Sequence, residues 1–194
     1  MAFTDKDLLP DEEILLSKMA NLLVRPSDYG LSEFAFLDTS GGEAIGGKAH
    51  LTNYRLVFAA HSVNRLTGWH SIFLPNIQEL RKGWTTLGVM TETQQYSFVM
   101  WFNRHFHDAI EQAQQAFGRK ELRRLQSLVR DNLPSVSQGL QRNELADMVN
   151  GFFLGLQQPL SALAGILQTL PTGEQSSVLE VVSLLKQRPA KSQK

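Results

Sequence analysis

His105 and His107 stand two residues apart, and a close imidazole pair is a common beginning of a metal site. On a helix, residues two apart do not share a face, so this pair does not chelate. His50, His61 and His70 fall near β-like segments, but no carboxylate pattern joins them. The stretch from Gly42 to Ala49 approaches a phosphate-binding loop: Gly42, Gly47 and Lys48 fit the spacing. Ala49 replaces the hydroxyl residue that would hold magnesium, and a β-like run follows where a helix should. These glycines read instead as part of a hairpin turn over 39–47. The chain has no cysteine, which excludes thiolate metal sites, disulfides and cysteine nucleophiles. No G-x-S-x-G elbow or H-E-x-x-H pair is present. The sequence therefore predicts a chain that is not an enzyme and carries no metal or cofactor.

The remaining chemistry is basic. Arg119/Arg123 and Lys120/Arg124 are i,i+4 pairs, so a helix there presents a cationic face, with Arg130 beyond it. Such a face suits anionic lipid headgroups, or it is a solvated helix surface. Nucleic acid is not expected, because the three Trp and three Tyr are not interleaved with these cations as a stacking platform requires. Formal net charge is zero but uneven. Nine Lys/Arg face thirteen Asp/Glu through Gly118, and ten face six from Arg119 onward. Anion binding in the first part must come from a local patch.

The elements that position these residues change period along the chain. Hydrophobic content of 42% with 20% charge is ordinary for a globular protein. The acidic, interrupted opening has no signal-peptide character, so a cytoplasmic location is expected. Ile14 to Val24 fits a strand or a helix. Strand candidates follow at 31–37, 49–60, 69–74, 84–91 and 96–102. In the last, Phe98, Met100 and Phe102 alternate with Val99 and Trp101, as in a strand covered on both sides. Short strands spaced by turns predict a sandwich or barrel.

From Asn103 the period becomes helical. Phe106, Ile110, Ala113 and Phe117 recur at spacings of 4, 3 and 4, with Asn103 as N-cap and Gly118 as stop. A second helix runs from Lys120 to Asn132. Further apolar faces are read at 145–156 and 160–170, and the last uses Val178, Leu179, Val182 and Leu185. The uncharged stretch 148–173 is interrupted by Asn150, Gln157, Gln158, Pro159 and Gln168, so a helical hairpin packed on the barrel or on another subunit is read there rather than a membrane span.

Around residues 47–58 the sequence resembles the GRAM domain, a module of the PH superfold, through Gly47, Leu51, Thr52, Asn53, Arg55, Leu56 and Phe58. Ile72, Leu74, Ile77 and Leu80 match the next strand and turn, and Phe98, Phe102, Arg104 and Ile110 match the last strand and closing helix. The resemblance implies an α+β fold: a PH/GRAM-like bent antiparallel β-sandwich, or barrel, closed by an amphipathic helix and followed by an α-helical C-terminal region. The corresponding expectation is a domain over 8–118, helices over 119–187 and a flexible tail over 188–194. It also implies recognition of membrane lipids, phosphoinositides or protein partners. Lipid-binding relatives place Lys and Arg in loops at the open end; here the candidates are Lys48, Arg65 and Lys82, with Arg55 as a ligand contact or a structural residue. With Arg119, Lys120, Arg123 and Arg124 they make the expected anion-binding set. Two functions are carried forward: a cytoplasmic adaptor peripheral to membranes, and an assembly protein whose C-terminal helices mediate self-association or partner binding.

Overall fold

A computed structural model describes residues 3–31, 42–136, 139–143 and 172–188. The strand candidate at 31–37, the apolar faces at 145–170 and most of the C-terminal tail lie outside them. Eight strands form one antiparallel sheet: β1 (Ile14–Val24), β2 (Glu43–Thr52), β3 (Arg55–Ala60), β4 (Leu66–Phe73), β5 (Ile77–Lys82), β6 (Thr86–Thr91), β7 (Gln95–Val99) and β8 (Leu140–Arg142). Their order is β5-β6-β7-β1-β2-β3-β4-β8. The first seven form a meander that β1 bridges in the middle, pairing with β2 along nearly its whole length and with β7 over Asn21 to Leu23.

Among the described residues the α-helices are α1 (Asn103–Ala116), α2 (Arg119–Asp131), the short α3 (Leu133–Val136) and α4 (Thr172–Lys186). Phe106 and Ile110 of α1 are fully buried in the core made by the inner faces of both halves of the sheet, and Ala113 and Phe117 pack beside them. Burying two such side chains contributes about 2–3 kcal/mol each. The amphipathic face read in the sequence is thus the plug of a PH-like sandwich. The fold is α+β with the helical C-terminal region expected.

β1 resolves as a strand because Ala20, Leu22 and Val24 face inward while Met19, Asn21 and Leu23 face out. The turn read over 39–47 is corrected from Glu43 on, where β2 begins. Gly47 is needed for close packing: a Cβ there would lie 2.3 Å from the Ala59 carbonyl oxygen and 2.6 Å from Phe58. The single run read over 49–60 is two strands. Thr52 folds the turn between them, its hydroxyl accepting from the Tyr54 and Arg55 amides at 3.1 and 2.9 Å and donating to Glu12 at 2.8 Å.

The described helices α2 and α4 fold back on this domain. Leu125 and Val129 of α2 and Val181 and Leu184 of α4 form a second core with Tyr54 and Phe73. β8, which the sequence pattern does not register in its three residues, extends β4. A third cluster lies under the N-terminal segment, where Phe3 covers Val57, Ala59 and Trp69 on the outer face of β3 and β4.

Candidate functional site

The sheet and α1 meet at a corner that carries large apolar side chains on the outside. β7 ends at Val99, and the Met100 amide donates to the Thr85 carbonyl at 2.8 Å, which brings the β5–β6 turn beside the end of β7. Asn103 fixes the same corner: its side-chain amide donates to the carbonyls of Gly83 and Thr86 at 3.0 and 2.7 Å. Asn103 is the first helical residue and not the cap. The cap is Phe102, with φ 51° and ψ 49°.

That conformation corrects the reading of 96–102 as a strand covered on both faces. Met100 is buried, but Trp101 and Phe102 are 74% and 85% exposed, and Trp84 across the corner is 94% exposed. A left-handed backbone costs a bulky L-residue roughly 1–2 kcal/mol, and no burial of Phe102 offsets it. Lys18 holds the geometry, its ammonium donating to the Phe102 carbonyl at 2.7 Å and lying 5.9 Å from the ring centroid. Met19, also exposed, shares with Trp101, Thr85, Asn21 and His61 a shallow groove of about 380 Å³. Trp84, Trp101 and Phe102 stand exposed at this corner as an aromatic rim, and Met19 lies beside Trp101 in the groove.

Two of the expected anion-binding residues lie on the strands that lead to this corner. Lys48 pairs with Met19 across β1 and β2, is exposed and, as a direct cross-strand partner, shares its face. Lys82 is exposed at the end of β5, two residues before Trp84. Arg119, Lys120, Arg123 and Arg124 are exposed on α2, beyond the far end of the fourteen-residue α1, about 20 Å along its axis. There Arg124 pairs with Asp11, and with Lys120 it lines a cleft of about 420 Å³ beside Asn53, Tyr54 and Phe117.

The other two are placed elsewhere. Arg65 is buried against Glu43 at 2.9 Å. Arg55 has no exposed surface, which corrects it as a ligand contact. Its Nε and one terminal nitrogen donate to the two Glu12 oxygens at 2.8 and 2.9 Å, the other donates to Ser71, and a further bond reaches the Asp7 carbonyl. The guanidinium lies 5.5 and 5.2 Å from the Phe3 and Trp69 rings.

On α1, His107, Asp108 and Glu111 bring three ligand atoms within 4.8 Å of one another. The His107 hydrogen bond holds the Asp108 carboxyl below its usual range, with smaller help from Lys82 and Arg104. Those cations already serve Asp108 and oppose a metal there. Among the described residues, no helix is long and apolar enough to cross a membrane.

No protein-family model and no curated protein matches the chain. Solved structures give distant likenesses. The Vps36 N-terminal PH domain aligns at a TM-score of 0.41 and 13% identity, covering 60% of this chain and 92% of that one. The C-terminal domain of an unknown protein from Leishmania infantum aligns at 0.37 and 14%, covering 54% and 85%. The PH-like assignment rests on the strand order and the plugging helix.

The rim was missed in the sequence because alternation was continued past Val99. Three large apolar residues in a row, Met100, Trp101 and Phe102, directly before a helix were the available signal, since a strand end buries one face only.

Proposed function

We propose that this chain is a non-catalytic binding module of PH/GRAM type, an adaptor that associates peripherally with the cytoplasmic face of anionic membranes through its aromatic rim. The observation that carries the proposal is the exposure of Trp84, Trp101 and Phe102 at one corner, with Phe102 held outward in a left-handed conformation. Backbone strain at an exposed aromatic favours a binding role over a folding one. Tryptophan partitions to the headgroup level of bilayers, and each basic residue near an anionic surface adds about 1 kcal/mol. Lys18, Lys48 and Lys82 supply that charge beside the rim, and the basic face of α2 is a second, separate contact. No cofactor is required.

Co-sedimentation with vesicles of phosphatidylcholine and phosphatidylserine tests the proposal. The wild-type chain binds, and salt weakens it. Trp84→Ala/Trp101→Ala/Phe102→Ala removes most binding, whereas Arg119→Ala/Lys120→Ala/Arg123→Ala/Arg124→Ala removes only part of the salt-sensitive share. A rim variant that binds like wild type sinks the reading.

One observation favours an assembly role instead. Val178, Leu179 and Val182 lie exposed along α4. Under that reading, sedimentation shows concentration-dependent oligomers that Leu179→Asp dissolves, and vesicles bind nothing.

A further inference from the structure

Tyr54 follows the turn between β2 and β3, and its backbone is fixed on both sides. Its amide donates to the Thr52 hydroxyl at 3.1 Å, and its carbonyl accepts from the Leu74 amide at 3.0 Å. The residue is buried in the second core, 4% exposed, and its ring meets Phe117 edge to face at 6.4 Å. A buried phenol ordinarily finds a partner for its hydroxyl. The Tyr54 hydroxyl makes no hydrogen bond among the described residues and is not sealed in the core. It belongs to the cleft of about 420 Å³ that Tyr54 lines. Burial raises its pKa, with Arg124 pulling the other way, so the phenol keeps its proton and stands as a donor without an acceptor.

The rest of the cleft divides by chemistry. Leu15, Ala116 and Phe117 give it an apolar wall, and Leu15 is half exposed there. Lys120 and Arg124, one turn apart on α2, bring two cations to the same space. Lys120 has no ion pair among the described residues. Arg124 has one, to Asp11, with both side chains more than half exposed. Such a pair contributes little to stability, but it shows the group that Arg124 takes, a carboxylate. The Asp11 backbone does not depend on that pair. Its carbonyl accepts from the Asn53 side-chain amide at 3.0 Å, and Asn53 in turn accepts from the Glu13 amide at 2.9 Å. The Asp11 side chain can therefore leave Arg124 while its backbone stays. Glu121 turns back over the start of α2, where a Cβ on Gly118 would lie 2.7 Å from its Oε2. With Asp11 swung out, Lys120 and Arg124 against Glu121 leave one positive charge in the cleft.

We infer that this cleft binds a small amphipathic monocarboxylate: Arg124, Lys120 and the Tyr54 hydroxyl take the carboxylate, Leu15, Ala116 and Phe117 take the apolar body, and Asp11 is the internal stand-in that the ligand displaces. The volume lies within the range of small-molecule sites. A single surplus charge does not match a phosphomonoester dianion or a polyphosphate headgroup. The site lies at the other end of α1 from the aromatic rim and does not depend on it.

The test titrates 3-phenylpropionate into the full, isotope-labelled chain and follows backbone amide shifts by NMR, with no vesicle present. Wild type should bind at about millimolar concentration or below, with shifts centred on Asn53, Tyr54 and residues 117–124. At neutral pH, 3-phenylpropionamide and phenyl phosphate, which remove the charge and double it, should bind at least about tenfold more weakly. Tyr54→Phe keeps the buried ring and removes only the unpartnered hydroxyl, so the fold stays intact and affinity falls roughly fivefold. Asp11→Asn suits the positive φ of this position and frees Arg124, so affinity rises roughly threefold, a gain that misfolding does not imitate. Shifts that do not localise to the cleft, equal binding of the amide, an unchanged affinity in Tyr54→Phe, or no gain in Asp11→Asn each overturn the inference. Acetyl-Ala-Ala-Phe binding about tenfold more tightly than 3-phenylpropionate would make a peptide C-terminus the occupant and overturn the small-molecule assignment.

Discussion

Lys18 and Phe102 are joined by a 2.7 Å hydrogen bond from the ammonium to the carbonyl, and that bond ties β1 to a large aromatic residue held at positive φ. Eighty-four residues separate them, so the contact forms only when sheet and α1 have met. Glycine at 102 would relax the backbone without emptying any core space. Phe102→Gly should therefore leave stability unchanged or raise it by up to about 1 kcal/mol, while weakening vesicle binding. Thermal unfolding and co-sedimentation on the same preparation check both halves. A marked fall in melting temperature would mean that the ring is structural.

Arg55 and Glu12 are a bidentate pair with no solvent contact on either side chain. Removing one charge leaves the other buried and unpaired. Glu12→Gln should cost about 3–5 kcal/mol, measured by urea unfolding. A loss below 1 kcal/mol would show that the guanidinium finds water or another acceptor.

His70 links α4 to acidity. Its pKa is lowered to about 4 by burial, with Glu180 pulling the other way. Around it stand Ser177 and Glu180 from α4, Tyr96 from β7 and, beyond Tyr96, Tyr29. The unfolded chain takes this proton near pH 6.5 and the folded chain only near 4. This contribution is thus constant above pH 6.5, and stability falls as pH drops from 6.5 to 4, by about 3 kcal/mol in all. Below 4 it falls no further. His70→Gln should remove that slope between pH 6.5 and 4 in urea titrations; an unchanged slope would assign it to carboxylates.

Gly47→Ala tests the close approach of β2 to β3. The added methyl meets backbone and a ring at under 3 Å, so about 1–3 kcal/mol should be lost. A tolerated alanine would fit the turn reading of this glycine and contradict its place in the strand.

Much of the sandwich was legible because local and tertiary demands agree. Phe106 and Ile110 repeat at helical spacing and meet the core at that spacing. Ile14 to Val24 was ambiguous because its apolar residues fit both periods, and only pairing with β2 decides. At α4 periodicity found the helix and its apolar face, but it registers apolar residues and not partners: Leu185 packs on the second core while Val178, Leu179 and Val182 stay exposed. The groups that draw Ser177 and Glu180 inward are His70, Tyr96, Thr91, Thr93 and Asn76, all remote in sequence. Of the candidate site, Lys48 and Lys82 were visible as cations, but Trp84, Trp101 and Phe102 become a rim only through the corner that Asn103 fixes.

Tryptophan emission tests the aromatic rim most directly. Trp84 and Trp101 are exposed, whereas Trp69 is buried beneath Phe3. Adding phosphatidylserine vesicles with brominated acyl chains should shift the emission to the blue and quench it, leaving the Trp69 share. Trp84→Phe/Trp101→Phe should abolish shift and quenching. Vesicle binding with unshifted, unquenched emission would contradict the account, because the rim would then face water in the bound state.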